Sequence, residues 1–329
     1  MLGFLLRRVV LGAIVLVLLS MVSFCFFTFL RQGGDLHLLV STWWVWAKGL
    51  WGGDTLHTFN RPTFGSNYML NPTTVVEALG HTAALLGLTL IVVVSFSVLL
   101  ALVAAASRGT ALDVTLRAFS YAAWAVPAFL LAMLVQLLVT TVGTQRGIGP
   151  FPIAGWPGDC PAGIGLDAGH FTGCAAAGHG ARLAWNVLRY VTLPALTLGV
   201  GFVGLHARYL RSALLETLDR PFITTARAKG LAEPRVLVRH ALRTSLATFV
   251  GAVFSDFGAI LGSAMAVDYL FQLNGLGTLF ISSFPHESGT VDPNAITPVI
   301  LLTAVLVIVF SVFSDVAVAR LDPRTREAE

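Results

Sequence analysis

The stretch Asp219–Leu242, DRPFITTARAKGLAEPRVLVRHAL, combines a helix-like pattern and basic side chains with Pro221, Gly230 and Pro234 as punctuation. Asp219 is placed to cap a helix whose first turn holds Pro221. Gly230 is placed to end that helix with positive φ, and Pro234 suits the first turn of a second helix that continues through Leu242. A short helix closed by glycine and pinned by another is a lever: it makes no bonds, but it can carry force. Arg235, Arg239 and Arg243 recur at i, i+4 and i+8, so they share a face that would meet anionic lipid headgroups or a partner. Two acids stand in apolar surroundings, Asp256 within one apolar run and Asp315 near the end of another. A carboxylate at membrane depth is costly and faces protein or water. Asp256 is therefore expected in mid-helix, either on a pathway for substrate or protons or as a buried, hydrogen-bonded structural acid.

Bond-making chemistry is not legible. A phosphate cradle needs Gly-x-x-x-x-Gly-Lys-Ser/Thr, and the two lysines, Lys48 and Lys229, follow Ala47 and Ala228 instead of glycine. Any ATP hydrolysis must come from other subunits, so the chain is expected to be non-catalytic and to need no cofactor. His170 and His179 lie near Cys160 and Cys174, but the spacing fits no compact zinc motif and no metal site is expected. The Ser/His, paired-Asp or metal constellation of an intramembrane enzyme is likewise not visible.

The elements that position these residues belong in a bilayer. Only 12% of residues are charged, 56% are hydrophobic, and mean hydropathy is +0.79. A chain this apolar cannot bury its surface in water, and a net charge of +4 spread along it offers no basic stripe for nucleic acid. A hydrocarbon core of about 30 Å takes roughly 20 apolar helical residues. Val9–Leu30, Thr82–Ser107, Ala118–Gln145, Tyr190–Ala207 and Pro293–Ser314 meet that length or nearly so, and Thr244–Val267 is interrupted only by Asp256. The first run follows Arg7 and Arg8 but is longer than a usual signal-peptide core and lacks a small-residue cleavage site, so it is expected to be a retained helix.

An all-α protein of about six spans follows, with both termini in the cytoplasm. The first span ends at residue 30, an outside loop covers 31–81, and the second and third spans are 82–107 and 118–142. An outside loop at 143–189 and a fourth span at 190–215 precede the cytoplasmic stretch 216–243. The fifth span is 244–270, an outside loop is 271–294, the sixth span is 295–319, and 320–329 is a cytoplasmic tail. With this orientation 15 of the 21 Lys and Arg lie inside and six outside, as the positive-inside bias requires. Trp43, Trp44, Trp46 and Trp51 cluster in the first outside loop, where a short helix lying on the membrane is expected. Cys25 sits in the first span as an apolar filler. Cys160 and Cys174 share an outside loop that permits oxidation, so a disulfide is expected.

The 219–242 stretch resembles the cytoplasmic loop of binding-protein-dependent ABC permeases of the dipeptide and oligopeptide class. In that loop Thr224-Thr225-Ala226 take the Glu-Ala-Ala positions, Gly230 the glycine, and His240 and Leu242 the Ile and Leu, while Arg243 replaces the proline. Ala-Arg-Ala-Lys-Gly at Ala226–Gly230 and His-Ala-Leu-Arg at His240–Arg243 are closer to the peptide branch. Leu193-Pro194-Ala195-Leu196 with Arg208 and Arg211-Ser212, Pro152-Ile153 with Gly155, and Asp315 with Leu321-Asp322-Pro323-Arg324 extend the likeness in order. The chain departs from the family after the fifth span, with Asp268, Phe271 and Asn274-Gly275-Leu276-Gly277 in place of Glu, Phe and Pro-Gly-Leu-Gly.

The resemblance implies a type I importer permease of the bacterial plasma membrane, working with a second, homologous permease, two ABC ATPase subunits, an extracellular or periplasmic substrate-binding protein and the surrounding lipid. It implies di- or oligopeptide substrates, with nickel chelates or sugars carried by relatives. Thr224, Thr225, Ala226, Arg227, Ala228, Lys229, Gly230, His240 and Leu242 become the ATPase-coupling residues, with Ala226, Gly230 and His240 expected to hold the short helix in a groove on the ATPase. Asn274, Gly275, His286, Glu287 and Asp292, in the loop after the fifth span, are expected to approach the binding protein. The rival from a different class is an ion-coupled secondary transporter, for which Asp256 is the supporting feature.

Overall fold

The computed structural model describes residues 2–52, 75–146, 152, 154–156, 181–284 and 293–321, and these are helical with no strand among them. In chain order the helices are α1 (Leu2–Gln32), α2 (Leu36–Gly52), α3 (Val75–Ala106), α4 (Ala111–Ala125), α5 (Ala128–Arg146), α6 (Ala181–Leu218), α7 (Pro221–Ala228), α8 (Glu233–Ser255), α9 (Phe257–Leu270), α10 (Leu276–Ser282) and α11 (Pro293–Leu321). Among the described residues five stretches are long and apolar enough to cross a membrane, and a sixth exists if the bent pair α4 and α5 is one span. The span expected at 190–215 lies inside the longer helix α6, and the one expected at 82–107 overlaps α3, which starts earlier and ends at Ala106.

The uncharged run Ala118–Gln145 is not one straight helix. It breaks at Val126–Pro127, and α4 and α5 meet at 96°. Proline excludes the residue before it from the helical region, and Val126 is accordingly extended at φ −86, ψ 121. The Pro127 carbonyl then accepts from Leu131 N, which starts α5. Thr110 caps α4 by accepting from Asp113 N.

The chain divides into two compact units. One comprises Met1–Leu85, Gln136–Leu193 and Ala264–Ile308. In it the turn at Gly33 and Gly34 brings the tryptophan-rich α2 back on α1, where Trp46 stacks on Phe24 and Trp43 Nε1 donates to Ser20 Oγ at 3.3 Å. Trp44 stays exposed, with Lys48 over its ring. The other unit comprises Leu86–Val135, Pro194–Ser263 and Val309–Glu329. Its core joins Ala101 and Ala105 of α3, Leu210 and Leu214 of α6, Ile223 and Ala226 of α7, and Val236, Ala241, Phe249 and Val253 of α8.

Candidate functional site

Helix α7 is short because its sequence stops it at both ends. Arg220, extended at φ −80, ψ 148, is the N-cap and makes no side-chain cap bond, and Pro221 occupies the first turn. Asp219, expected as the cap, instead lies 3.8 Å from Arg108 in an exposed pair, because the proline starts the helix one residue later than that expectation required. At the other end Gly230 has φ +78. Gly230 N donates to Arg227 O at 2.9 Å and Leu231 N to Ala226 O at 3.4 Å, the paired bonds of a Schellman stop. Leu231 packs on the core that contains Ala226, completing the motif's apolar contact.

The two faces of α7 differ sharply. Ile223 and Ala226 are buried in the chain's own core, whereas Phe222, Thr224, Thr225, Arg227, Ala228, Lys229 and Gly230 are exposed. This corrects the expectation for Ala226, which cannot sit in a partner's groove: a methyl at i+3 from Ile223 shares its inward face. Arg227 spans the turn, donating to Glu233 through Nε at 2.7 Å and Nη2 at 3.3 Å. That bond raises the guanidinium's pKa above its ordinary value.

Pro234 sits in the first turn of α8, as its type favours. Residues Val236–Leu242 then form a π-helical stretch, in which hydrogen bonds close over one extra residue. The buried positions show the shift: Val236 is followed by Ala241, then by Ser245 and Phe249. A plain α-helix would have turned His240 inward, so the extra residue leaves His240 and Leu242 half-exposed. Arg235, Arg239 and Arg243 all remain exposed.

Asp256 is not in mid-helix. At φ −84, ψ 2 it is the break itself: its N–H donates to Ala252 O and closes α8, and its carbonyl accepts from Ile260 N and opens α9. Its Oδ2 lies 3.3 Å from Nε2 of His206, a fully buried residue of α6 that the sequence did not single out. His206 Nδ1 is 2.8 Å from Phe202 O and must donate to it, since a carbonyl only accepts. Nε2 and Oδ2 are both buried with no other hydrogen-bond partner, so bare lone pairs would face each other unless one proton lies between them. Nearby, the bend between α4 and α5 opens a cleft of about 170 Å³ lined by Trp124, Pro127, Phe202 and Ser263.

The segment after α9 is locked from several sides. Buried Asp268 accepts from Gly275 N through Oδ1 at 3.0 Å and from Thr278 N through Oδ2 at 2.8 Å, capping α10 from a distance. Thr82 Oγ1 accepts from Leu276 N at 2.8 Å, His81 Nδ1 donates to Asn274 O at 3.2 Å, and Gly155 N to Phe271 O at 2.9 Å. A Cβ at Gly277 would stand 2.0 Å from Met265 O, so only glycine fits there. Asn274 and Gly275, expected to face a receptor, are buried and engaged inside this lock. Its signal in the sequence was the departure from the family pattern at Asp268 and Asn274. His286, Glu287, Asp292, Cys160 and Cys174 lie outside the described residues, and Cys25 is a free thiol. No group of three or more potential metal ligands occurs among the described residues.

Helix α7, the α8–α9 break and Asp268 with the amides it holds all fall within residues 97–327, which match the family described as binding-protein-dependent transport system inner membrane component. The chain belongs to that family. Among curated relatives of this inner membrane component, a peptide permease protein of Brucella ovis is 36% identical over 141 residues, 43% of each chain. An oligopeptide transport system permease protein of Haemophilus influenzae is 31% identical over 144 residues, 43% of this chain and 46% of its own. A peptide transport system permease protein of Brucella abortus is 28% identical over 252 residues, covering 77% of this chain and 71% of its own. The matched stretch thus spans less than half the length of the first relatives. Among the described residues the chain is helical with several spans, and the family description places it in the bacterial inner membrane.

Proposed function

We propose that this permease forms half of the translocation pathway of an ATP-driven importer for di- or oligopeptides, with a second homologous permease, two ATPase subunits and a binding protein on the opposite side. The observation that carries the reading is α7: a stopped helix fixed on its inner face by Ile223 and Ala226 while Phe222, Thr224, Thr225 and Lys229 stay free. Burying an isoleucine contributes roughly 1.5–3 kcal/mol, enough to hold an eight-residue helix that could not persist alone. The outer face is then available to an ATPase, with the aromatic ring of Phe222 as its apolar anchor. On this reading both termini and α7 are cytoplasmic, the charge count supplying the orientation. The peptide assignment follows the names of the relatives. Receptor approach moves from the internally engaged Asn274 and Gly275 to the neighbouring segment with His286, Glu287 and Asp292, and Asp256 serves as a structural acid at the α8–α9 break.

Reconstitution tests this directly. Proteoliposomes holding the permease pair and its ATPases should take up a radiolabelled casein digest only when ATP and the binding protein are both supplied. Uptake driven by a proton or sodium gradient without ATP would support the secondary-transporter reading instead.

A further inference from the structure

Asp113 opens α4 and is 1% exposed. Arg211 of α6 grips it with both arms of its guanidinium, Nε to Oδ1 at 2.8 Å and Nη2 to Oδ2 at 2.7 Å. Gly109 N adds a bond to Oδ2 at 3.2 Å, and Arg117 Nε stands 3.5 Å from Oδ1. Three hydrogen bonds therefore hold the carboxylate, Arg117 Nε donating instead to the Asp113 backbone carbonyl at 3.4 Å, and both ends of the pair are withdrawn from water, with the Arg211 side chain 16% exposed. Arg211 sits between Leu210 and Leu214, which belong to the core that also receives Ile223 and Ala226 of α7. One end of α6 thus holds both the lever and the start of α4, the helix that runs to the Val126–Pro127 bend.

We propose that Asp113 and Arg211 are a positioning pair for energy coupling, obliging α4 to follow α6 when an ATPase moves α7. The inference rests on the importer reading given above. Stability alone does not call for this pair, because well-packed apolar residues are often as stable as a buried ion pair. A bidentate fork offers what apolar contact lacks, one register that does not slide. Without it, displacement of α6 would be absorbed in the Ser107–Thr110 turn and would not reach the bend where α4 and α5 line their cleft.

The full complex in proteoliposomes, with binding protein, ATP and a radiolabelled casein digest, tests the pair through peptide imported per ATP hydrolysed. Arg211→Lys keeps the charge and loses the fork. It is expected to assemble at the wild-type level and to hydrolyse ATP, while peptide per ATP falls by about tenfold. Asp113→Asn should uncouple likewise, and the exchange Asp113→Arg with Arg211→Asp should restore part of the ratio. A wild-type ratio in Arg211→Lys overturns the proposal. So does loss of the assembled complex in that variant, which would assign the pair to folding alone. Absence of ATP-driven uptake by the wild-type complex overturns the importer reading itself, a distinct result.

Discussion

Substituting Gly230 isolates backbone conformation from every other property of the lever. Its φ is +78, and beyond its two chain neighbours no heavy atom lies within 4 Å of where a Cβ would stand. A new side chain therefore meets open space, and the cost is that of the left-handed conformation alone. For an L-residue this is about 1 kcal/mol for alanine and about 2 kcal/mol for β-branched valine, while asparagine tolerates the region best. Those energies correspond to factors of roughly 5 and 30 in the opening of the turn. Native-state hydrogen exchange of Gly230 and Leu231, whose amides donate back into α7 from the turn, reads that opening. Exchange should quicken in the order Gly230→Asn, Gly230→Ala, Gly230→Val while the amides of α6 are unchanged, and peptide import should fall in the same order. Alanine and asparagine equal to valine would refute a φ-based cost and point to contacts at that surface.

Ala226→Asp should place a carboxylate in the apolar core beneath α7 at a penalty of several kcal/mol, so trypsin should cleave after Arg227 or Lys229 faster than in wild type, and an unchanged rate would remove the inward placement. Asp256→Asn should retain transport because an amide N–H can donate to His206 Nε2, whereas Asp256→Ala should cost about 1–3 kcal/mol in thermal stability by orphaning that nitrogen; equal behaviour of the two variants would exclude the shared-proton geometry. Asp268→Ala should free Gly275 N and Thr278 N and speed exchange across α10, and exchange at the wild-type rate would show that Thr82 and His81 suffice. Cys160 and Cys174 should resist alkylation until reduced, as intact mass would record, and two labelled thiols without reductant would refute the bond.

Much of the architecture could be read from the sequence because bilayer burial writes long apolar runs, and because Pro221, Gly230 and Pro234 act locally. Those residues control their own φ and hydrogen bonding, so the Gly230 stop of α7 and the start of α8 needed no tertiary information, although the cap of α7 fell on Arg220 and not on Asp219. Other features depend on residues far apart in the chain. That Ala226 faces inward is settled by Leu210, Leu214 and Phe249, and the π turn that spares His240 is a register adjustment no periodicity announces. Asp113 drew no notice in the sequence, because its partner Arg211 lies 98 positions away. His206 lies within an apolar run, and its pairing with Asp256 exists only because α6 passes the break between α8 and α9. Asp268 was visible as a departure from the family pattern, but its task, holding the α9–α10 turn, emerges only from the amides it accepts.

The central claim, that the outward face of α7 receives the ATPase, is tested most directly by site-specific disulfide crosslinking in the assembled complex. Thr225→Cys is exposed and should crosslink to a cysteine in the ATPase's docking groove, more strongly in one nucleotide state than another, while Ile223→Cys on the buried face should not. Equal crosslinking from both positions, or crosslinking only from Ile223→Cys, would contradict the account.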